Sequence, residues 1–228
     1  MKLLELRSEL CRGVDHHCRR CFEGRPTAPL QCPPNVFRVG DGQKLVTFVF
    51  DKPNDNTNYR TSPLIPIAAF DDRAGIDIRL ARAPSHNKLV VLCRLLGLIE
   101  PESLELASPL VHITNAAKCD VSADKGLTGR IAVPAWQART CVGTFLTREL
   151  EAVRSRAIVF FGRNAQTYVL DEVTPLWEIC ARTVGERLYS VMRVSHTSPE
   201  AFNTHGKKGA AYVEPFKKLL AAAQRVAA

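Results

Sequence analysis

Short apolar runs that stop at polar loops alternate along the chain with stretches of helical spacing. Leu3, Leu6, Leu10 and Val14 recur at that spacing and predict an amphipathic N-terminal helix ending near Cys21. A Pro-rich loop follows, with Pro26, Pro29, Pro33 and Pro34. The run Leu45-Val46-Thr47-Phe48-Val49-Phe50 is the pattern of a strand buried on both faces, and it stops at Asp51-Lys52-Pro53-Asn54-Asp55-Asn56, which is all loop chemistry. Asn87 to Leu98 returns to helical spacing and closes at Gly97. Leu110-Val111-His112-Ile113-Thr114 predicts a second strand, again followed by a polar loop. Residues 140–153 predict a helix through Phe145, Leu146, Leu150 and Val153, and Ala157-Ile158-Val159-Phe160-Phe161 a third strand ended by Gly162. A fourth strand, Arg187 to Val194, runs into Ser195-His196-Thr197-Ser198-Pro199, and the tail from Ala210 to Ala227 is again helical.

Strands alternating with helices call for a parallel sheet covered on both faces. The expected fold class is therefore α/β: one three-layer domain over residues 1–228, with a central, mainly parallel four-stranded sheet flanked by helices. In that architecture ligands bind outside the carboxyl ends of the strands. The loops after Phe50, Thr114 and Val194 then face one another across a single crevice, which is a site expectation drawn from the architecture alone.

Composition narrows the picture. At 228 residues and 46% hydrophobic, the chain is neither a disordered segment nor a small disulfide scaffold. The longest apolar run, Leu89 to Ile99, contains Arg94 and is too short to span a bilayer. Charges at Lys2, Glu5 and Arg7 inside the first apolar stretch argue against a signal peptide. A soluble, cytoplasmic, monomeric protein with no membrane partner is expected. Thirty-one Lys+Arg against 23 Asp+Glu give a net charge of +8, which draws the chain to polyanions. Its eight cysteines would stay reduced in the cytosol and are read first as metal ligands. Two groupings compete. Cys11, Cys18, Cys21 and Cys32 form a local set suited to four-coordinate zinc. Alternatively, Cys18 and Cys21 join Cys119 and Cys141 from far along the chain, and four such thiolates suit a cubane iron–sulfur cluster. Spacing leaves both open, as well as no metal at all. Cys93 and Cys180 sit in apolar helical patterns and are expected in the core.

Taken together, several segments resemble the uracil-DNA glycosylase superfamily, and in particular its iron–sulfur-containing family-four members. Ile113-Thr114-Asn115-Ala116-Ala117-Lys118-Cys119 is similar to that family's TN-x-x-KC segment; Cys141 follows, then Phe145-Leu146 and Glu149-Leu150, like the second cluster cysteine and its helix. Ile158-Val159-Phe160-Phe161-Gly162 resembles the family's apolar strand ending in Gly, and Ser195-His196-Thr197-Ser198-Pro199 its His-Pro-Ser motif. Cys18 and Cys21 fall where the family places its first pair of ligands. The chain also departs from the pattern. Phe50-Asp51-Lys52-Pro53-Asn54 stands where the family has Gly-Glu-x-Pro-Gly, Leu64 where it has the ring that stacks on the base, and Thr197 where Pro is usual. Residues 66–85 read as an insertion.

The resemblance implies a DNA glycosylase of base excision repair that hydrolyses the N-glycosidic bond of uracil, or a related deaminated base, flipped out of DNA. It favours a [4Fe–4S] cluster held by Cys18, Cys21, Cys119 and Cys141 over the alternative of Zn²⁺. Asn115 is expected to read the base edge with its amide and His196 to stabilise the departing base, with Asp51, Asp55 and Asn56 as candidates for placing water. Phe50, Pro53 and Leu64 would line the pocket. Ser198, Pro199, Lys207 and Lys208 would meet DNA phosphates, with Arg130 and Arg139 as further candidates. Phe202 would either hold the gap in the base stack or pack against the C-terminal helix. The competing expectation is a nucleic-acid-binding protein, catalytically inactive or zinc-stabilised, that retains the fold.

Overall fold

A computed structural model of the protein describes residues 5–6, 44–51, 84–99, 110–118, 133–197, 199–204 and 209–226. Five strands form one sheet: β1 (Val46–Phe50), β2 (Val111–Asn115), β3 (Ala157–Phe161), β4 (Ile179–Val184) and β5 (Arg187–Val194). Their order is β2-β1-β3-β5-β4. Every neighbouring pair is parallel except β4 with β5. The parallel strands are buried on both faces because their side chains alternate between two cores. Phe48, Val159 and Met192 point into one core, where Leu92, Tyr212 and Phe216 cover them. Val49, Ile158, Phe160 and Val191 point into the other, covered by Ala138, Leu146 and Leu150. The result is a helix–sheet–helix sandwich, as the alternation of elements required.

The expected four strands become five, which is a correction. β4 is an edge strand whose residues are mostly half-exposed, so it carries no apolar run. Cys180 consequently lies on this strand and not in a helix, and it is only partly buried. The missed signal was Gly185-Glu186. Val184 pairs with Arg187 across a two-residue turn in which Gly185 takes φ 61°, a conformation that favours glycine.

The described helices differ from the spacing in bounds and make-up, and those at Arg163–Leu170 and Pro199–Thr204 were not expected from it. α1 (Pro84–Leu95) begins with proline at its first turn, where a missing N–H costs nothing. It ends at Gly97 through Leu98 N–H to Cys93 O and Gly97 N–H to Arg94 O, the paired bonds of a Schellman cap. The helix expected over 140–153 begins earlier and has three parts: α2 (Ala135–Cys141), a π turn (Val142–Leu146) and α3 (Thr147–Val153). α4 (Arg163–Leu170) follows β3 directly through Gly162, at φ 98°. α5 (Pro199–Thr204) and α6 (Ala210–Val226) close the chain. Of the expected N-terminal helix, only Glu5 and Leu6 are described, and both are helical. No helix among the described residues is long and apolar enough to cross a membrane.

Candidate functional site

The carboxyl ends of β1, β2, β3 and β5 lie side by side, and the register brings Phe50 opposite Asn115 and Phe161 opposite Val194. Backbone bonds tie these ends together: Ala116 N–H donates to Phe50 O at 2.7 Å, Ala117 N–H to Asp51 O at 2.9 Å and Gly162 N–H to Val194 O at 2.9 Å. The sheet edge where the site is expected therefore carries Asp51 and Asn115, with His196 two residues beyond the end of β5.

Asn115 is 2% exposed, and its amide nitrogen has no hydrogen-bond partner among the described residues. A buried donor left unpaired costs about 1–3 kcal/mol. Such an atom at a strand's carboxyl end is suited to a ligand that supplies the missing acceptor. His196 stands edge-on to the Phe50 ring at 5.7 Å, and Phe50 in turn stacks on Phe161 at 4.5 Å. Phe50 thus acts as a support beneath the imidazole. Burial pushes the His196 pKa down from its ordinary value, and the nearby Asp51 carboxylate opposes that shift. At neutral pH the ring is uncharged, with one N–H to donate.

Beneath Asn115 lies a buried polar network. Glu149 on α3 accepts a hydrogen bond from Thr114 Oγ1 at 2.9 Å, meets His112 Nε2 at 2.8 Å and forms an ion pair with Lys118. Lys118 Nζ also donates to Thr114 Oγ1 at 2.5 Å. Burial alone would raise the Glu149 pKa, but Lys118 and His112 together outweigh it and hold the carboxyl at about 2. Residues 112, 114 and 118 surround Asn115 in sequence, so one carboxylate fixes the end of β2 and the turn beyond it.

Tyr168 on α4 was not singled out by the sequence. Its hydroxyl donates to Val133 O at 2.8 Å, and burial followed by the Asp51 charge pushes its pKa up. Asp51 therefore lies within electrostatic reach of both His196 and Tyr168. No motif marks Tyr168; only its place on the helix leaving the third strand end would have found it.

Phe202 requires a correction as a stack-holding wedge. It is 1% exposed, stacks on Tyr212 of α6 at 5.7 Å, and its ring edge comes within 3.0 Å of where a Cβ at Gly209 would stand. A wedge must project from the surface, so Phe202 takes the packing role. Arg139 is paired with Asp171 at the surface. Pro199 opens α5. Cys93 is buried in the core, as expected.

Cys141 is buried at the end of α2. Burial pushes its thiol pKa up, while the Lys118 backbone and ammonium pull it down, which places Cys141 against the residue that precedes Cys119. The described residues contain no group of three or more His, Cys, Asp or Glu arranged to hold a metal ion. Cys11, Cys18, Cys21, Cys32 and Cys119 lie outside those residues, as do Pro53, Asp55, Asn56, Leu64, Arg130, Ser198, Lys207 and Lys208.

A comparison with curated proteins found no matching relative. A family profile described as the uracil DNA glycosylase superfamily matches residues 81–220, a span that includes β2 through β5 with Asn115, Cys141 and His196. That span is well over half of the chain, and the chain belongs to the uracil DNA glycosylase superfamily.

Proposed function

We propose that this protein hydrolyses the N-glycosidic bond of uracil, or of a related deaminated base, in DNA. The observation that carries the proposal is the buried, unpartnered Asn115 amide nitrogen at the same sheet edge as His196, in a chain of this superfamily. An enzyme acting on a base inside a duplex must flip it out and read its Watson–Crick edge. The Asn115 amide presents a donor and an acceptor side by side, matching O4 and N3–H of uracil. Cytosine presents the reverse pattern and would leave buried groups unpaired, at about 1–3 kcal/mol each.

In the reaction the C1′–N1 bond breaks and its electron pair leaves on the base. His196 donates its N–H to the base O2, where the charge develops, and being neutral it gives up no proton outright. Asp51 lies at the end of β1 on the same edge. It orients a water whose oxygen bonds to C1′ and accepts the proton that the water loses, while its charge favours the cationic sugar. Phe50 and Phe161 hold the imidazole in place. Ser198, Pro199, Lys207 and Lys208 are proposed to meet phosphates, and Pro53, Asn56 and Leu64 to complete the pocket.

Cys18, Cys21, Cys119 and Cys141 are proposed to hold a [4Fe–4S] cluster in a structural role. The buried Cys141 thiol against Lys118, one residue from Cys119, supports that donor set. A brown protein containing iron is expected, with the colour lost in Cys141→Ser; a colourless protein containing zinc would overturn the cluster.

The deciding experiment is base release from a uracil-containing single-stranded oligonucleotide, followed for wild type, Asn115→Ala and His196→Ala. Release by wild type with large losses in both variants is expected. Absence of release by the wild type would reject uracil as the substrate. One observation favours a non-catalytic DNA-binding reading: the bulky Phe50 ring stands at the strand end where the superfamily motif has glycine. DNA binding without release from any of several deaminated bases is the result that reading predicts.

A further inference from the structure

The arginines on and around α4, β4 and β5 are unevenly paired. Arg139 binds Asp171 and Arg182 binds Glu172. Arg163 and Arg193 have no carboxylate partner among the described residues. Both leave the same sheet edge. Arg193 is opposite Phe160 in the β5–β3 register, and Arg163 follows Gly162, whose N–H donates to Val194 O at 2.9 Å. The two residues thus flank one backbone hydrogen bond. Arg193 is half-buried, and its Nε donates to Thr174 O at 2.8 Å, which fixes the stem of the guanidinium. Arg163 is exposed. Burial and the Arg163 charge both push the Arg193 pKa down, so the two cations feel each other.

Like charges on residues that flank one backbone hydrogen bond, without a counter-charge, disfavour the folded protein, and an anion near both relieves that cost. Planar guanidinium forks match phosphate oxygens better than an ammonium does. We propose that Arg163 and Arg193 form a clamp for one phosphodiester of the DNA strand, at the rim beside the His196 loop. The placement relative to a flipped base rests on the proposed function, whereas the phosphate contact does not. Arg193 precedes His196 by three residues on the same strand and loop, so a phosphate held there sets the strand's position relative to the imidazole. Neither arginine belongs to a motif that the superfamily resemblance singled out.

The test uses the full-length protein and an undamaged, fluorescently labelled single-stranded oligonucleotide, with binding measured by anisotropy over a range of salt. Loss of one phosphate contact in Arg163→Ala lowers the slope of log K against log salt by about 0.7, or roughly fivefold in affinity between 1 M and 0.1 M salt. Arg193→Lys keeps the slope near that of wild type but weakens binding, because the charge remains and the fork is lost. Lys217→Ala, which removes an exposed positive charge from α6, leaves slope and affinity unchanged. An unchanged slope in Arg163→Ala, or an equal fall in Lys217→Ala, would overturn the clamp. So would loss of the Arg163 contribution on adding millimolar inorganic phosphate at constant ionic strength, which would assign the pair to a free anion. A wild type that shows the Arg163-dependent slope yet releases no base keeps the clamp and removes the glycosylase reading; release without that slope does the reverse.

Discussion

Lys118, 2% exposed in the turn after β2, is bound to Glu149, which is 14% exposed on α3. The pair joins the turn that follows Asn115 to the helix behind it. Removing one partner leaves the other charge buried and uncompensated. Glu149→Ala is expected to destabilise the protein by about 3–5 kcal/mol, read from urea unfolding midpoints. The folded carboxyl titrates at about 2 against an ordinary 4.5, so its stabilisation is complete above pH 4.5 and is lost as pH falls from there toward 2. An acid-unfolding curve that is the same for wild type and Glu149→Gln would contradict this assignment.

His196 has the opposite protonation preference from a salt-bridged histidine. Its pKa is pushed below the ordinary 6.5, so protons bind the unfolded chain more readily than the folded one. Stability from this group is present above pH 6.5 and is lost as pH falls below it toward the folded value. Base release should hold level from pH 8 down to 6.5 if, as proposed, the neutral ring is the donor. His196→Ala should lower kcat about 10²–10³-fold. A rate that rises steadily as pH falls through 6.5 would show that the imidazolium is required instead.

Gly185 turns the β4–β5 hairpin against α3. A Cβ there would lie 2.6 Å from Thr147 Cγ2 and 2.7 Å from Glu151 Oε1, at a φ of 61°. Gly185→Ala is expected to cost about 1–3 kcal/mol, with a lowered Tm and little change in DNA binding by the folded protein. An unaltered Tm would mean that the hairpin does not pack on this helix.

Phe202 stacks on Tyr212 inside the core. Phe202→Ala should open a cavity and cost about 3–5 kcal/mol. At a temperature where the variant is still folded, its affinity for undamaged single-stranded DNA should equal that of wild type. A stable variant with weakened DNA binding would return Phe202 to the role of a wedge.

The alternation of apolar runs and helical spacing was enough to find β1, β2, β3 and β5 and the edge where they end, because each is buried on both faces. β4 escaped because an edge strand has one side open to water and no continuous run. Asn115 and His196 were legible through motifs tied to strand ends. Glu149 was noticed only as a motif letter, since nothing in sequence says that a helix residue reaches His112, Thr114 and Lys118. Arg163 and Arg193 were hidden for a related reason: an arginine's meaning depends on whether an acid sits beside it, and Asp171 and Glu172 turn toward other partners.

The π turn at Val142–Leu146 changes which residues of its helix look the same way. Cys141 and Glu149 are eight residues apart, a spacing that in a regular α-helix would rotate them about 80° from each other. One turn wider by a residue absorbs the difference, so that eight residues complete about two turns. Both side chains then meet Lys118, the thiol through its backbone and the carboxylate through its ammonium. A single extra residue in the winding thus acts as a phase correction, bringing the proposed cluster ligand and the carboxylate behind the end of β2 onto one lysine.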